Sequence, residues 1–183
     1  MDILVSTDWL AENMGASDLR IVDATYFLPE MGRDAAAEYE AKHIEGAVFL
    51  NLAELVDPGS SLPNTVPPPE KFASRMQALG LGDGSRIVLY DNSPLKTAAR
   101  AWWLFEVFGA PNIAILDGGM EKWLAEGRKT ESGKNQLRHR HFTVWRDDKA
   151  IVTKDQILAN IGSKASQVVD ARTMSRFTAE EPE

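Results

Sequence analysis

The stretch LYDNSPLKTAARAWW, residues 89–103, places an aspartate between a buried strand and a helix. A helix begins with backbone N–H groups that lack partners, so its start attracts an anion and lowers the pKa of a thiol placed there. Such a loop suits a nucleophile, but Asp91 would supply the anion itself and fill the position. The favoured interpretation is that Asp91 is a structural group. A carboxylate nucleophile is disfavoured, because no Asp-x-Asp pattern follows Asp91 and no metal ligands are evident nearby.

Three arginines lie where an anion could be bound. Arg100 is near the start of the same helix, and a structural salt bridge with Asp91 or Asp117 is favoured over substrate contact. Arg172 and Arg176 follow a short apolar segment that reads as a strand. Residues just past the carboxyl end of a parallel strand face the ligand side, and the planar fork of arginine suits a carboxylate or a sulfur oxyanion. For these two, anion binding and a surface ion pair both stay open.

The histidines do not suggest a metal or cofactor site. His43 lies between a helical turn and a strand and is expected to make a structural hydrogen bond. His139 and His141 are two residues apart, but two imidazoles without a third ligand do not make a metal site. Neither a metal nor a cofactor is therefore predicted.

Composition narrows the class of protein. The chain has 183 residues, a formal net charge of −7 and no cysteine. The acidic balance argues against a nucleic-acid partner. No apolar run approaches the ~20 residues of a membrane span and no leader is evident, so a cytoplasmic protein without a membrane partner is expected. Without cysteine, this chain has no disulfide, no zinc–thiolate site and no thiol nucleophile.

An internal repeat divides the chain. VSTDWLAENMGASDLRIVDAT begins at residue 5 and VTKDQILANIGSKASQVVDAR at residue 152, an ungapped offset of 152 − 5 = 147. Each copy predicts a capped helix, a glycine turn and a short buried strand. The second copy ends at residue 183, which corresponds to residue 183 − 147 = 36 of the first copy. A segment this short cannot bury a core alone. We therefore expect a fragment, or a remainder that lies on another polypeptide.

The first copy predicts an α/β fold. Apolar strand segments alternate with helical ones, which is typical of a mainly parallel central sheet flanked by helices on both faces. Predicted strands cover residues 20–24, 46–50, 87–90 and 113–116, and predicted helices cover residues 8–14, 38–42, 69–79, 97–108 and 120–126. Thr7 or Asp8 is expected to cap the first helix. The predicted domains are residues 1–130 and an incomplete second copy, residues 151–183, joined by a charged linker over residues 131–150.

Six motifs in order resemble one family. They are VSTDWLAENMG, LRIVDAT, EYEAKHIEGAVFLNL, RIVLYDN, ARAWWLFEVFG and ILDGGMEKWLAEG, and VVDARTMSRFTAEEPE follows the linker. Together they resemble the tandem-domain sulfurtransferases, rhodanese (thiosulfate sulfurtransferase) and 3-mercaptopyruvate sulfurtransferase. The resemblance implies two rhodanese-like domains facing each other, with a catalytic cysteine only in the second. Asp91 would hold the equivalent position in the inactive first domain, and the nucleophile would fall near 91 + 147 = 238.

The resemblance also implies a reaction and a binding residue. Members move a sulfane sulfur from a small anionic donor, thiosulfate or 3-mercaptopyruvate, to a thiophilic acceptor through a cysteine persulfide. Arg176 aligns with the family's substrate-binding arginine. The acidic and histidine pair of the mercaptopyruvate enzymes is not evident, since Leu52 and Asn64 stand roughly at those places, and this leaves the donor open. Without a cysteine the chain is expected to be inactive alone; the alternative is a free-standing inactive module for protein binding.

Overall fold

Five strands form the central sheet of the first part of the chain. The computed structural model describes residues 1–181. Its strands are β1 (Leu4–Val5), β2 (Leu19–Asp23), β3 (His43–Ile44), β4 (Ala47–Phe49), β5 (Arg86–Tyr90), β6 (Ile113–Leu116) and β7 (Thr130–Glu131). The sheet order is β1-β6-β5-β2-β4 with every neighbouring pair parallel, which confirms the predicted parallel sheet. Strands β3 and β7 form a separate antiparallel pair.

Helices cover both faces of this sheet, as predicted. They are α1 (Thr7–Asn13), α2 (Ala35–Ala41), α3 (Pro69–Ala78), α4 (Ala98–Val107) and α5 (Gly119–Ala125), whereas α6 (Lys154–Ser163) and α7 (Met174–Phe177) belong to a separate unit later in the chain. Alternate strand residues point to opposite faces. Val22 and Leu89 therefore join the core under α3 and α4, whereas Ile21 and Val88 join the core under α1 and α5. In the described part of the chain, no helix is long and apolar enough to cross a membrane.

The first helix is capped one residue earlier than predicted. Ser6 has extended backbone angles and its hydroxyl accepts the N–H of Trp9 at 3.1 Å, whereas Thr7 and Asp8 lie inside α1. A serine oxygen at this position satisfies a backbone donor that the helix cannot. The predicted cap is therefore wrong, by one residue if it is Thr7 and by two if it is Asp8.

Residues 134–147, here called the strap, pack against the rest of the first unit. The first unit, Met1–Asp147, therefore extends beyond the boundary that was predicted at residue 130. Phe142 is 4% exposed, and its ring centroid lies 5.8 Å from that of Phe72 and 6.2 Å from that of Phe105. The backbone of the strap is also bonded, since Trp145 N donates to Phe108 O at 3.1 Å. The many charges of this segment predicted a solvated linker, but one buried aromatic side chain anchors it.

Glycines make room for the strap. A Cβ on Gly80 would lie 2.9 Å from the carbonyl oxygen of Arg138, and a Cβ on Gly82 would lie 2.9 Å from that of His141. Gly109, at φ +76°, is equally close to Trp145 O. Any other residue at these places would push the strap away from the domain.

The second unit, Asp148–Glu183, forms its helix but not its strand. The hydroxyl of Thr153 accepts Gln156 N–H, and the Gln156 side chain accepts Thr153 N–H, so α6 begins with a capping box. The short apolar segment before Arg172, predicted as a strand, has no strand partner in the described structure. Val168 and Val169 are 66% and 85% exposed. The strand prediction is wrong for this chain, because an extended segment needs a neighbouring strand to pair with.

Candidate functional site

Asp91 fills the start of α4. It follows the last residue of β5, and its Oδ2 accepts the N–H of Ala98 at 2.7 Å while Oδ1 accepts the N–H of Ser93 at 3.1 Å. The side chain is buried, with the residue 8% exposed. The partial positive charge at the helix start is thus met by a carboxylate of the same chain. These bonds confirm the structural interpretation of Asp91.

Two threonines hold this loop to the end of β2. The hydroxyl of Thr97 donates to Ala24 O at 2.8 Å and accepts the N–H of Tyr26 at 3.2 Å. The hydroxyl of Thr25 accepts the N–H of Asn92 at 3.0 Å. Because β2 and β5 are adjacent parallel strands, their carboxyl ends bring these groups together at one edge of the sheet. The loop therefore has a fixed shape before any ligand is considered.

A second carboxylate lies buried beside the first. Asp23 ends β2, and burial raises the pKa of its carboxyl group, although hydrogen bonds from Thr25 and Tyr90 oppose the shift. The charge of Asp91 raises the pKa of Asp23 further. Burial, followed by the charge of Asp23, raises the pKa of Tyr90 well above its usual value. The edge of the sheet thus holds two buried carboxyl groups, and the charge of one makes the other harder to ionise.

A cleft of about 810 Å³ lies over the loop. Its charged lining residues are Arg33, Asp91, Lys96, Asp117 and Glu121. Gly119 allows the close approach of α5, since a Cβ there would be 2.6 Å from the carbonyl oxygen of Asp91. That oxygen accepts the N–H of Met120 at 3.0 Å. Carboxylates outnumber cations in the cleft, and its helix terminus is already occupied.

The salt bridge predicted for Arg100 is wrong. Among residues 1–181, Arg100 is ion-paired with neither Asp91 nor Asp117; it donates instead to the carbonyl oxygen of Asn64. Its guanidinium lies 5.8 Å from the ring centroid of Trp103, and burial lowers the pKa of Arg100. Asp91 is unsuited as a partner because both its carboxylate oxygens bind backbone N–H groups.

His43 is a structural histidine, as predicted. It is fully buried, its Nδ1 donates to Tyr39 O at 2.7 Å, and its ring stacks on that of Tyr39 at 4.1 Å. Its Nε2 lies 3.4 Å from an oxygen of Glu131 and 3.3 Å from the amide nitrogen of Asn135. No local pattern in the sequence pointed to these last two partners, which lie near the start of the predicted linker.

The other candidate residues are not brought to the cleft. His139 and His141 are exposed, and within residues 1–181 no three metal-ligating side chains converge. Leu52 is buried in the core, and Asn64 is exposed at φ 54°. These two side chains do not form a polar pair.

The arginines of the second unit are exposed. Arg172 donates through Nε and Nη2 to the carboxylate of Asp170, at 3.0 and 2.8 Å. This is the surface ion pair that the sequence left open for Arg172. Arg176 lies on α7, and its predicted role in substrate binding stays a prediction.

Fold and site together define a class. The first unit is an open, parallel α/β sheet with a short loop between a strand and a helix, and a buried side chain fills the centre of that loop. The Rhodanese-like domain matches residues 6–126, and the chain belongs to the rhodanese family. The predicted resemblance is thereby confirmed.

Named relatives are sulfurtransferases. The chain is 38% identical over 186 residues to human 3-mercaptopyruvate sulfurtransferase, covering 98% of this chain and 63% of the relative. It is 36% identical over 184 residues to chicken thiosulfate sulfurtransferase, covering 97% of this chain and 63% of that protein. The chain thus spans less than two thirds of the length of these curated relatives.

A solved structure shows the same fold. The crystal structure of SseA from Escherichia coli, a 3-mercaptopyruvate sulfotransferase with the rhodanese fold, superposes with a TM-score of 0.91 at 35% identity. The match covers 98% of this chain and 69% of SseA. Tum1 from Saccharomyces cerevisiae, at 23% identity and a TM-score of 0.89, shares the fold.

Proposed function

We propose that this chain forms the non-catalytic first domain and the beginning of the second domain of a sulfurtransferase. The reaction is transfer of a sulfane sulfur from 3-mercaptopyruvate or thiosulfate to a thiophilic acceptor through a cysteine persulfide. The names of the relatives support the reaction class. In this proposal residues 1–130 are the first domain and residues 151–183 the start of the second; residues 131–150 connect them, and the strap within this connection packs on the first domain.

The occupied loop carries this proposal. A persulfide forms when a thiolate attacks the transferable sulfur and the donor's bond to that sulfur breaks. The chain has no cysteine, and the carboxylate of Asp91 is held by the N–H groups of Ser93 and Ala98. The first domain would therefore support the second without reacting itself.

Matched positions of the repeat support a missing partner. Leu10 is fully buried, whereas its counterpart Ile157 (157 − 147 = 10) is 41% exposed. Val22 is fully buried, whereas its counterpart Val169 (169 − 147 = 22) is 85% exposed. Apolar burial is the main force that holds such a unit together. The remainder of the second rhodanese-like domain, with its strands and its cysteine, is the partner that would cover these side chains.

Arg176 would bind the donor in the completed domain. Its guanidinium is exposed and carries a fixed positive charge with a planar set of donors. Both proposed donors are anions, and the carboxylate of 3-mercaptopyruvate or the oxygens of thiosulfate fit that fork.

A reconstitution assay tests the proposal. The chain alone is expected to show no sulfur transfer from either donor to cyanide or a thiol. Activity is expected when the cysteine-containing remainder of the second domain is supplied, and Arg176→Lys should lower it mainly through the KM of the donor. Sulfur transfer by this cysteine-free chain alone would falsify the proposal.

The alternative is an inactive rhodanese module that binds a protein. One observation favours it: the unit Met1–Asp147 has its own core on each face of the sheet. It predicts that residues 151–183 are dispensable. A chain shortened after Ala150 should then unfold cooperatively at an unchanged temperature, and a loss of folding would exclude this alternative.

A further inference from the structure

Positive charge is concentrated in the strap. Residues 134–146 contain Lys134, Arg138, Arg140 and Arg146 and no aspartate or glutamate, so they carry a formal charge of +4. The whole chain carries −7, and the rest of it therefore carries −7 − 4 = −11. A cationic segment in an otherwise acidic protein attracts acidic groups through its local field, whatever the net charge of the chain.

Two of these arginines are exposed and are not neutralised. Among residues 1–181, the side chains of Arg138 and Arg140 are paired with no carboxylate. Asp83 contacts the strap, but its two carboxylate oxygens accept the N–H and the hydroxyl of Thr143, at 2.8 and 2.7 Å, and it pairs with neither arginine. The two guanidinium groups can therefore bind acidic groups from outside the chain.

A third guanidinium group lies at the turn against which Arg140 packs. Nε of Arg20 donates to Gly80 O at 3.3 Å. Two residues later, a Cβ on Gly82 would lie 3.2 Å from Cδ of Arg140. Burial, followed by the charge of Arg140, lowers the pKa of Arg20. Like charges held this close repel each other, and an anion bound beside them would relieve the repulsion.

An apolar groove adjoins these cations. Its volume is about 400 Å³, and Gly82 lines it together with Pro111 and Trp145. Trp145 is 75% exposed, although its backbone is fixed by the bond from its N–H to Phe108 O. An exposed indole on a fixed backbone loses little freedom on binding, and Trp and Arg are enriched among the residues that dominate interfaces. The groove thus offers an anchoring point next to the arginines.

We propose that the strap surface, defined as Arg20, Arg138, Arg140, Trp145 and this groove, docks an acidic segment of another protein. The carboxylates of that segment face the arginines, whose planar donors match a carboxylate, and an apolar side chain enters the groove against Trp145. A nucleic acid fits less well, because its phosphates would also meet the acidic remainder of the chain. The strap surface belongs to the first unit, so this inference does not rest on the proposed function.

The first test determines what the strap surface selects. The chain is presented with a phage-displayed library of random peptides, with counter-selection against the double variant Arg138→Gln/Arg140→Gln. Circular dichroism checks that this variant is folded, and Trp145→Ala replaces it if it is not. Enriched peptides are expected to combine several acidic residues with an apolar one. No enrichment, or enrichment of peptides without an acidic excess, would overturn the inference.

The second test measures the contribution of each part. Fluorescence anisotropy of an enriched peptide gives its Kd, which is expected to rise at least about tenfold in Arg138→Gln/Arg140→Gln and in Trp145→Ala. The control, Lys154→Gln/Lys164→Gln, removes the same charge at exposed positions of the second unit. Its Kd should change less than about twofold, because charges distant from the site are screened by salt. Equal Kd values in the arginine variant and the control would overturn the inference.

Other occupants of the strap surface would give different results. Tighter binding of single-stranded RNA, or of vesicles that contain phosphatidylserine, would overturn the assignment to an acidic protein segment. Self-association in sedimentation that disappears in Arg138→Gln/Arg140→Gln would assign the surface to a second copy of this chain instead. The two-domain protein that contains this chain is expected to bind the peptide with the same Kd. A loss of binding there would mean that the remainder of that protein covers the strap surface.

Discussion

Oδ2 of Asp91 accepts the N–H of Ala98 at 2.7 Å, which joins the end of β5 to the first residue of α4 through one carboxylate. This bond connects the two ends of the loop through a side chain of the loop itself. The same atoms that would stabilise an anionic sulfur in an active copy are here used to hold a side chain. The loop keeps its shape without a ligand. The contribution of the Asp91 carboxylate can therefore be measured as a change in the free energy of unfolding.

Removing the Asp91 carboxylate should destabilise the first unit. Asp91→Ala leaves the N–H groups of Ser93 and Ala98 without their acceptor. The free energy of unfolding in urea is expected to fall by about 1–2 kcal/mol, as for other lost helix caps. Asp117→Ala, an exposed aspartate of the same cleft, is the matched control and should change little. Equal stability of the two variants would contradict the account of the loop.

The strap should contribute to the core. Phe142→Ala removes a ring that is 4% exposed and packs near Phe72 and Phe105. The expected loss in the free energy of unfolding is about 3–5 kcal/mol, which includes the cavity that remains. Trp145→Ala, on the same segment but 75% exposed, should cost far less. If Phe142→Ala proved as mild as Trp145→Ala, residues 134–147 would be a solvated linker after all.

Asp23 should make stability depend on pH. Its pKa is raised above the ordinary value of 3.8, so the folded state binds more protons than the unfolded state as pH rises from that value. Stability from this group therefore falls with rising pH in that window and is fully retained below it. Asp23→Asn keeps the acceptor for Thr25 N–H but cannot ionise. Its free energy of unfolding, compared with that of the unsubstituted chain, should improve as pH rises above the ordinary pKa of 3.8, whereas a constant difference would argue against a raised pKa.

Under the proposed function, the remainder of the second domain should order residues 167–170. Residues 167–170 form no strand in the described structure, and Val169 is 85% exposed. Their amide hydrogens are expected to exchange with deuterium quickly in this chain, because no strand accepts them. Adding the remainder of the second domain should slow the exchange by at least about tenfold, as in other strands that become paired. The amides of β2, whose strand is already paired, are the internal control and should not change.

The alternation of strands and helices could be predicted from sequence, because buried parallel strands are short apolar runs and the helices carry their own periodicity. The role of Asp91 followed from the same local logic, since a strand end and a helix start were both visible. Arg100 was mispredicted because its partner, Asn64, lies in a distant proline-rich loop and contributes a carbonyl oxygen, which carries no side-chain signal.

The strap was missed for a related reason. Phe142 is one aromatic residue among charged neighbours, and only contacts with Phe72 and Phe105 make it part of the core. The pairing of His43 with Glu131 likewise joins residues far apart in sequence. Local sequence patterns do not reveal such contacts. The charged residues around Phe142 therefore led to the prediction of a solvated linker.

The position of Phe142 late in the first unit also determines when the aromatic core can be completed during translation. A growing chain emerges from its N-terminus at about 5–20 residues per second. Helices α3 and α4 are made well before residue 142, but the aromatic cluster that covers them lacks a ring until that residue has emerged. The nascent first domain therefore carries exposed Phe72 and Phe105 surface while the chain beyond α5 is still being translated. A pause before residue 142 would leave Phe72 and Phe105 without their contacts to the Phe142 ring.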